Sequence, residues 1–108
     1  MRSSPPVDGD CRAFQLAVEI LARPWSALIL NALQAGPLRF TEIGVRARGV
    51  SDKILSARLK ELEGRGLVVR EVEPGPPVRV TYALTDAGRA FHEVARAIET
   101  WGRTLEAT

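Results

Sequence analysis

Arg39-Phe40-Thr41-Glu42-Ile43, then Arg48-Gly49-Val50, then Ser51-Asp52-Lys53-Ile54-Leu55-Ser56-Ala57-Arg58-Leu59-Lys60-Glu61-Leu62-Glu63 is the stretch that decides the fold. Its first segment begins a short helix that ends near Arg48-Gly49. Ser51 is a strong N-cap for a second helix running from Asp52 to about Glu63. Leu55, Leu59 and Leu62 stand at i, i+4 and i+7, a single buried stripe. The Gly-containing turn Arg48-Gly49-Val50 lets the two helices cross steeply, so that the second protrudes. At ~100° per residue, Lys53, Ser56, Ala57 and Lys60 fall opposite the leucines. Lys53 and Lys60 are the only two lysines in the chain. Arg58 lies beside the leucine stripe, where it serves packing or an ion pair.

On the C-terminal side, Gly64-Arg65-Gly66 ends the helix, and Leu67–Val72 and Val78–Leu84 read as paired strands. Between them stands Glu73-Pro74-Gly75-Pro76-Pro77. Its three prolines lack ladder donors, so it is a loop. Val78, Val80, Tyr82 and Leu84 alternate with Arg79, Thr81 and Ala83, which turns Arg79 away from the core. Thr85 caps a last helix from Asp86 to about Glu106. Along it Ala87, Phe91, Val94, Ile98, Trp101 and Leu105 form a heptad stripe that wants a partner helix, either its own domain or a two-fold mate. The two-fold mate is favoured, because the rest of the domain has few faces left to cover so long a helix.

On the N-terminal side, Gly36-Pro37 stops a helix from Trp25 to about Leu33 whose first turn suits Pro24. Before it Asp10 caps a helix from Cys11 to Ala22, with Phe14, Ala17, Val18 and Leu21 on one face. Residues 1–9 lack periodicity and read as a mobile tail; residues 10–108 are one domain.

The chain has 108 residues, 45% hydrophobic and 26% charged, enough for one core without disulfide or metal staples. No apolar run approaches the ~20 residues of a membrane span, and Met1–Pro6 shows no secretory signal. The expectation is a soluble cytosolic domain with no membrane partner. Net charge is +2, with thirteen Arg among fifteen basic residues, which fits an anionic partner or a GC-rich genome. One Cys and one His exclude a disulfide framework and a Cys/His zinc site. An enzyme would need a site. His92 is isolated outside the apolar seam, a Cys11/His92 dyad has no third group, and no Gly-Lys-Ser/Thr follows the glycines. No catalytic residue, metal or cofactor is expected.

The order of four helices, strand, Pro-rich loop, strand and helix is that of a winged helix-turn-helix, mainly α with a small β-hairpin (α+β), flanked by an extra N-terminal helix and a C-terminal dimerisation helix. A protruding helix with small and hydrogen-bonding residues at its start suits a DNA major groove. This makes Ser51, Asp52, Lys53, Ser56, Ala57 and Lys60 candidate DNA contacts. Arg70 and Arg79 on the hairpin and Arg39 at the third helix suit phosphates or a minor groove. The competing class is a winged helix that only docks proteins. A single basic surface spanning Lys53, Lys60, Arg70 and Arg79 favours DNA, while Glu61, Glu63, Glu71 and Glu73 oppose it.

The chain resembles the HxlR family of bacterial transcriptional regulators, a MarR-like group. The resemblance is carried by Cys11 and Trp25, by Gly36-Pro37-Leu38-Arg39-Phe40-Thr41-Glu42-Ile43 and by Val50-Ser51-Asp52-Lys53-Ile54-Leu55. Further matches are Arg58-Leu59-Lys60-Glu61-Leu62-Glu63, Gly66-Leu67-Val68-Val69-Arg70, Pro76–Thr85, Gly88 and Trp101-Gly102. It implies a homodimer on an inverted repeat of double-stranded DNA, with repression as the expected sign. It also implies that the first and last helices form the dimer interface, here including Phe91, Val94, Ile98, Trp101 and Leu105. Family members commonly carry Gly-Gly-Lys where Ala22-Arg23-Pro24 stands, and Pro where Arg12 follows the cysteine. The first departure alters the bend between the first two helices.

Relatives sense oxidants and electrophiles at the position of Cys11. Here a helix N-terminus and Arg12 favour its thiolate, whereas Asp10 opposes it; the alternative is a half-buried bystander. A second effector route is a small apolar ligand in a cleft among Phe14, Trp25, Phe91 and Trp101, against simple core packing of these aromatics.

Overall fold

The computed structural model describes residues 5–106; residues 1–4 of the expected tail and the last two of the domain lie outside them. Six α-helices and one hairpin follow in order: α1 Arg12–Ala22, α2 Ser26–Ala32, α3 Phe40–Arg46, α4 Asp52–Gly64, β1 Val68–Glu73, β2 Arg79–Leu84, α5 Asp86–Arg89 and α6 Phe91–Glu106. A 3-10 turn, Leu33–Ala35, extends α2. This is the α+β winged helix-turn-helix expected from the pattern. Its core is Ile29, Leu30 and Leu33 from the second helical segment, Ile43 from α3, Leu55, Leu59 and Leu62 from α4, and Val68 and Leu84 from the hairpin.

Several local readings need correction. Asp10 does not cap α1. Cys11 holds the N-cap position without a side-chain acceptor, because its N–H closes a turn onto the Asp8 carbonyl (3.1 Å) while the Asp10 N–H goes to Asp8 Oδ1 (2.9 Å). Helix α2 starts at Ser26, not in a turn begun by Pro24. Trp25 lies at φ 76°, ψ −12° and the Ser26 N–H bonds Arg23 O at 3.2 Å. A proline followed by a left-handed residue is the backbone of a type II turn. A non-glycine residue there costs about 1–2 kcal/mol, which its packing must offset.

Helix α3 stops at Arg46, and Ala47–Val50 close a second such turn (Val50 N–H to Ala47 O, 3.2 Å) with Gly49 at φ 91°. The end of α4 runs to Gly64, where Gly66 at φ 76° completes a Schellman motif. Its N–H bonds Glu63 O (3.0 Å) and that of Leu67 bonds Leu62 O (3.0 Å). Both strands begin one residue later than expected.

The hairpin is antiparallel, with Val68 opposite Leu84 and Glu73 opposite Arg79. Leu38 adds a bridge on the far edge of β2, exchanging both bonds with Tyr82 (3.0 and 2.8 Å). Flanked on both edges, β2 loses the clean alternation expected of it, and Val80 to Ala83 are all half-buried. The expected single C-terminal helix is broken at Ala90. Thr85 caps only α5, accepting from the Gly88 N–H (3.1 Å) while donating to Gly66 O (2.6 Å). Gly88 is pressed on the Leu67 carbonyl so closely that any Cβ would collide with it.

Neither α1 nor α6 contains a fully buried residue. Phe14 is 43% exposed, Ile98 42% and Trp101 65%. Among the described residues no single helix is long and apolar enough to cross a membrane, and the joined pair Arg12–Ala22 and Ser26–Ala35 is bent by 88°.

Candidate nucleic-acid interface

The three leucines of α4 are buried, which turns its other side outward. Ser51 starts the helix by accepting from the Ile54 N–H at 3.2 Å, a cap worth about 1 kcal/mol. Asp52, Lys53 and Lys60 are exposed, while Ser56 and Ala57 are half-buried. Arg58 does both things open to it. It is 8% exposed, donates from Nε to Pro24 O at 2.8 Å and from Nη1 to Glu61 Oε1 at 3.2 Å. Glu61 also receives Arg23, Nη2 at 2.8 Å and Nε at 3.3 Å. One acid that opposed an anionic partner is thereby neutralised; Glu71 and Glu73 on the wing have no ion pair.

Arg39 precedes α3, whose start is tied by the Arg39 N–H donating to Glu42 Oε1 (2.7 Å). Its side chain joins Arg79, Glu71, Glu73 and Thr81 around a groove of about 370 Å³ at the wing. Arg70, opposite Tyr82 in the register, lies on the other face of the hairpin. So the structure unites Arg39 with Arg79 and leaves Arg70 apart.

Most of the cations without an ion pair share one location. Among the described residues Arg23, Arg58, Arg65, Arg89 and Arg103 are ion-paired. Arg39, Arg46, Arg48, Lys53, Lys60, Arg70 and Arg79 carry no ion pair and all lie on the helix-turn-helix or the wing; Arg12 on α1 and Arg96 on α6 also carry none. Arg46 and Arg48 were not among the sequence candidates. Their signal was present in Arg46-Ala47-Arg48, two exposed cations flanking a buried alanine at the turn.

Cys11 is exposed and free. The N–H groups of Phe14 and, less strongly, Ala13 hold its thiol below the ordinary value. The four aromatics do not share one cavity. Trp25 is half-buried over Gly49, its Cη2 3.3 Å from where a Cβ would stand. Phe91 lines two cavities, about 330 Å³ with Leu28, Asn31 and His92 and about 210 Å³ with Leu21, Leu30 and Val94; neither includes Phe14, Trp25 or Trp101.

A family model described as HxlR-like helix-turn-helix matches residues 20–107. The chain belongs to the HxlR-like family. Among HxlR-like relatives, the uncharacterized HTH-type transcriptional regulator YvaP of Bacillus subtilis is 45% identical over 91 residues, 84% of each chain. The HTH-type transcriptional regulator YodB of the same organism is 40% identical, over 84% of this chain and 81% of that one. The solved reduced form of YodB superposes with a TM-score of 0.78, covering 84% of this chain and 89% of that one at 40% identity. A MarR-family regulator structure from Enterococcus faecalis V583 gives a TM-score of 0.80 at 28% identity, covering 97% and 96%. The HxlR-like chain is thus a helix-turn-helix transcriptional regulator of a DNA-binding, non-enzymatic family.

Proposed function

We propose that the chain acts as a homodimer on an inverted-repeat operator, as a repressor whose DNA binding responds to thiol-reactive compounds through Cys11. The observation that carries the reading is the division of the cations. Of the described cations without an acid partner, all but Arg12 and Arg96 are gathered on the helix-turn-helix and the wing, where phosphates would replace the missing carboxylates. Lys53, Ser56, Ala57 and Lys60 face bases and backbone in the major groove, with Asp52 and the Ser51 hydroxyl at the helix start. Arg39, Arg46, Arg48 and Arg79 hold phosphates, and Arg70 does so from the opposite wing face. A two-fold dimer sets the two α4 helices about 34–36 Å apart along the duplex. Such a regulator works in the cytoplasm, beside its DNA.

The thiol response is supported by the exposed Cys11 at the N-cap of α1 and by YodB, solved in diamide-treated and quinone-bound forms. A quinone would add to the Cys11 sulfur through a ring carbon, the thiol proton ending on the ring. Diamide would join two Cys11 sulfurs across the dimer and leave as the hydrazine. The smaller Phe91 cavity, lined almost wholly by apolar side chains, favours a second, noncovalent route for a small apolar effector.

The test is binding of the full chain to its own promoter-flanking DNA at several salt concentrations, with and without diamide. Lys60→Gln and Arg79→Gln are expected to weaken binding across sequences, each lowering the salt slope by about 1. Cys11→Ser is expected to bind normally and ignore diamide. Absence of selective binding would move the reading to a protein-docking winged helix. An unchanged diamide response in Cys11→Ser would remove the thiol reading, and wild-type binding untouched by diamide would move the effector to the Phe91 cavity.

A further inference from the structure

The elbow between α1 and α2 holds α4 at two points. Trp25, thrown into the left-handed conformation by the turn after Arg23, lays its indole on Gly49, two residues before the Ser51 cap. Nine and twelve residues beyond Gly49, Arg58 and Glu61 reach back to the same elbow. The Arg58 guanidinium is nine-tenths buried and bonds the Pro24 carbonyl, and Glu61 takes Arg23 in a two-pronged pair and Arg58 as well. Glu19 near the end of α1 adds an ion pair to Arg65 beyond α4 (3.5 Å). Three consecutive residues, Arg23 to Trp25, therefore grip the approach to the helix and its C-terminal half.

Packing alone does not require this. The leucine stripe already buries α4, and the Arg23 and Glu61 side chains are 55% and 39% exposed. What the grip adds is a set angle between α1 and α4. A bidentate guanidinium–carboxylate pair fixes direction as well as distance. We infer that the elbow is a two-point clamp, with Trp25, Arg23, Arg58 and Glu61 as positioning residues that set the spacing between two DNA half-sites. The inference rests on the dimeric reading above. With the apolar face of α1 in the interface, each α4 is aimed by its angle to α1.

The test uses full-length protein and duplexes that the wild type recovers from a randomised pool, then remade with the spacer between half-sites one or two base pairs longer or shorter. Wild type is expected to prefer its own spacer by roughly tenfold or more. Glu61→Gln and Arg23→Gln are expected to reduce that preference to less than about threefold, with Arg23→Lys intermediate. Removing an acid from α4 raises attraction to DNA, so a merely electrostatic Glu61 would give Glu61→Gln tighter binding with its spacer preference intact. That result, or retention of the preference in Arg23→Gln, overturns the clamp. Thermal unfolding and near-ultraviolet dichroism check folding. Should Glu61→Gln unfold, Arg23→Gln, altered at a side chain 55% exposed, decides alone. A wild type with no spacer preference overturns the dimeric reading and the clamp together; a preference kept by the variants overturns the clamp only.

Discussion

Cys11 owes its setting to a one-residue shift in where α1 begins. Because Asp8 closes the preceding turn, the cysteine takes the N-cap position, and N–H groups of the first turn point toward its sulfur. Those dipoles favour the thiolate in the folded chain. The folded pKa is the lower of the two. The group therefore favours folding above its unfolded value and loses that contribution as pH falls through its folded value. The expected outcome is that alkylation by iodoacetamide, followed against pH, has its midpoint in native protein below that of the urea-unfolded chain. Coincident midpoints would remove the first-turn effect. The helix N-terminus beside Cys11 was legible from the sequence, but the one-residue shift was not visible from Asp10-Cys11-Arg12, where the aspartate is the better intrinsic cap. The turn at Asp8 decides the contest.

At the scale of elements, the joint between hairpin and C-terminal helices is the most sensitive to a single atom. Thr85 caps α5, bonds Gly66 O and sends its own N–H to Leu67 O, while Gly88 lies against that same carbonyl. Gly88→Ala must push the hairpin and α5 apart, so a loss of at least about 1–3 kcal/mol is expected in urea unfolding. Ala87→Gly, one residue away and exposed, should cost only about 1 kcal/mol; equal losses would refute the close-approach explanation. The elements themselves were legible because leucine spacing, Ser51, Thr85 and the proline cluster are local signals. The break at Ala90, the left-handed Trp25 and the Leu38–Tyr82 bridge were not, since each depends on a neighbour distant in sequence. The same holds for the interface. Lys53, Lys60 and Arg79 follow from helix and strand periods, but only the folded chain shows which arginines have an acid partner.

Taken whole, the molecule measures 59 × 31 × 24 Å with a radius of gyration of 15.9 Å, against about 13 Å for a compact domain of this size. The apolar seam of α6 is spread along this long body without a fully buried residue. If that seam is the dimer interface, Ile98→Asp puts an unpaired charge into it, a cost of several kcal/mol. The dimer should then weaken by at least about 100-fold in sedimentation. The expected monomer keeps salt-dependent binding to any duplex and loses its preference for inverted repeats. An Ile98→Asp variant that sediments as the wild type does would exclude the seam.

One compositional accident of α4 has a practical side. Lys53 and Lys60 are the only lysine side chains in the chain, and both are exposed on that one helix. An amine-directed reagent consequently modifies no lysine anywhere else. Peptide mass spectrometry after brief acylation becomes a footprint of a single surface, with Lys53 and Lys60 as two separate reporters of what covers it.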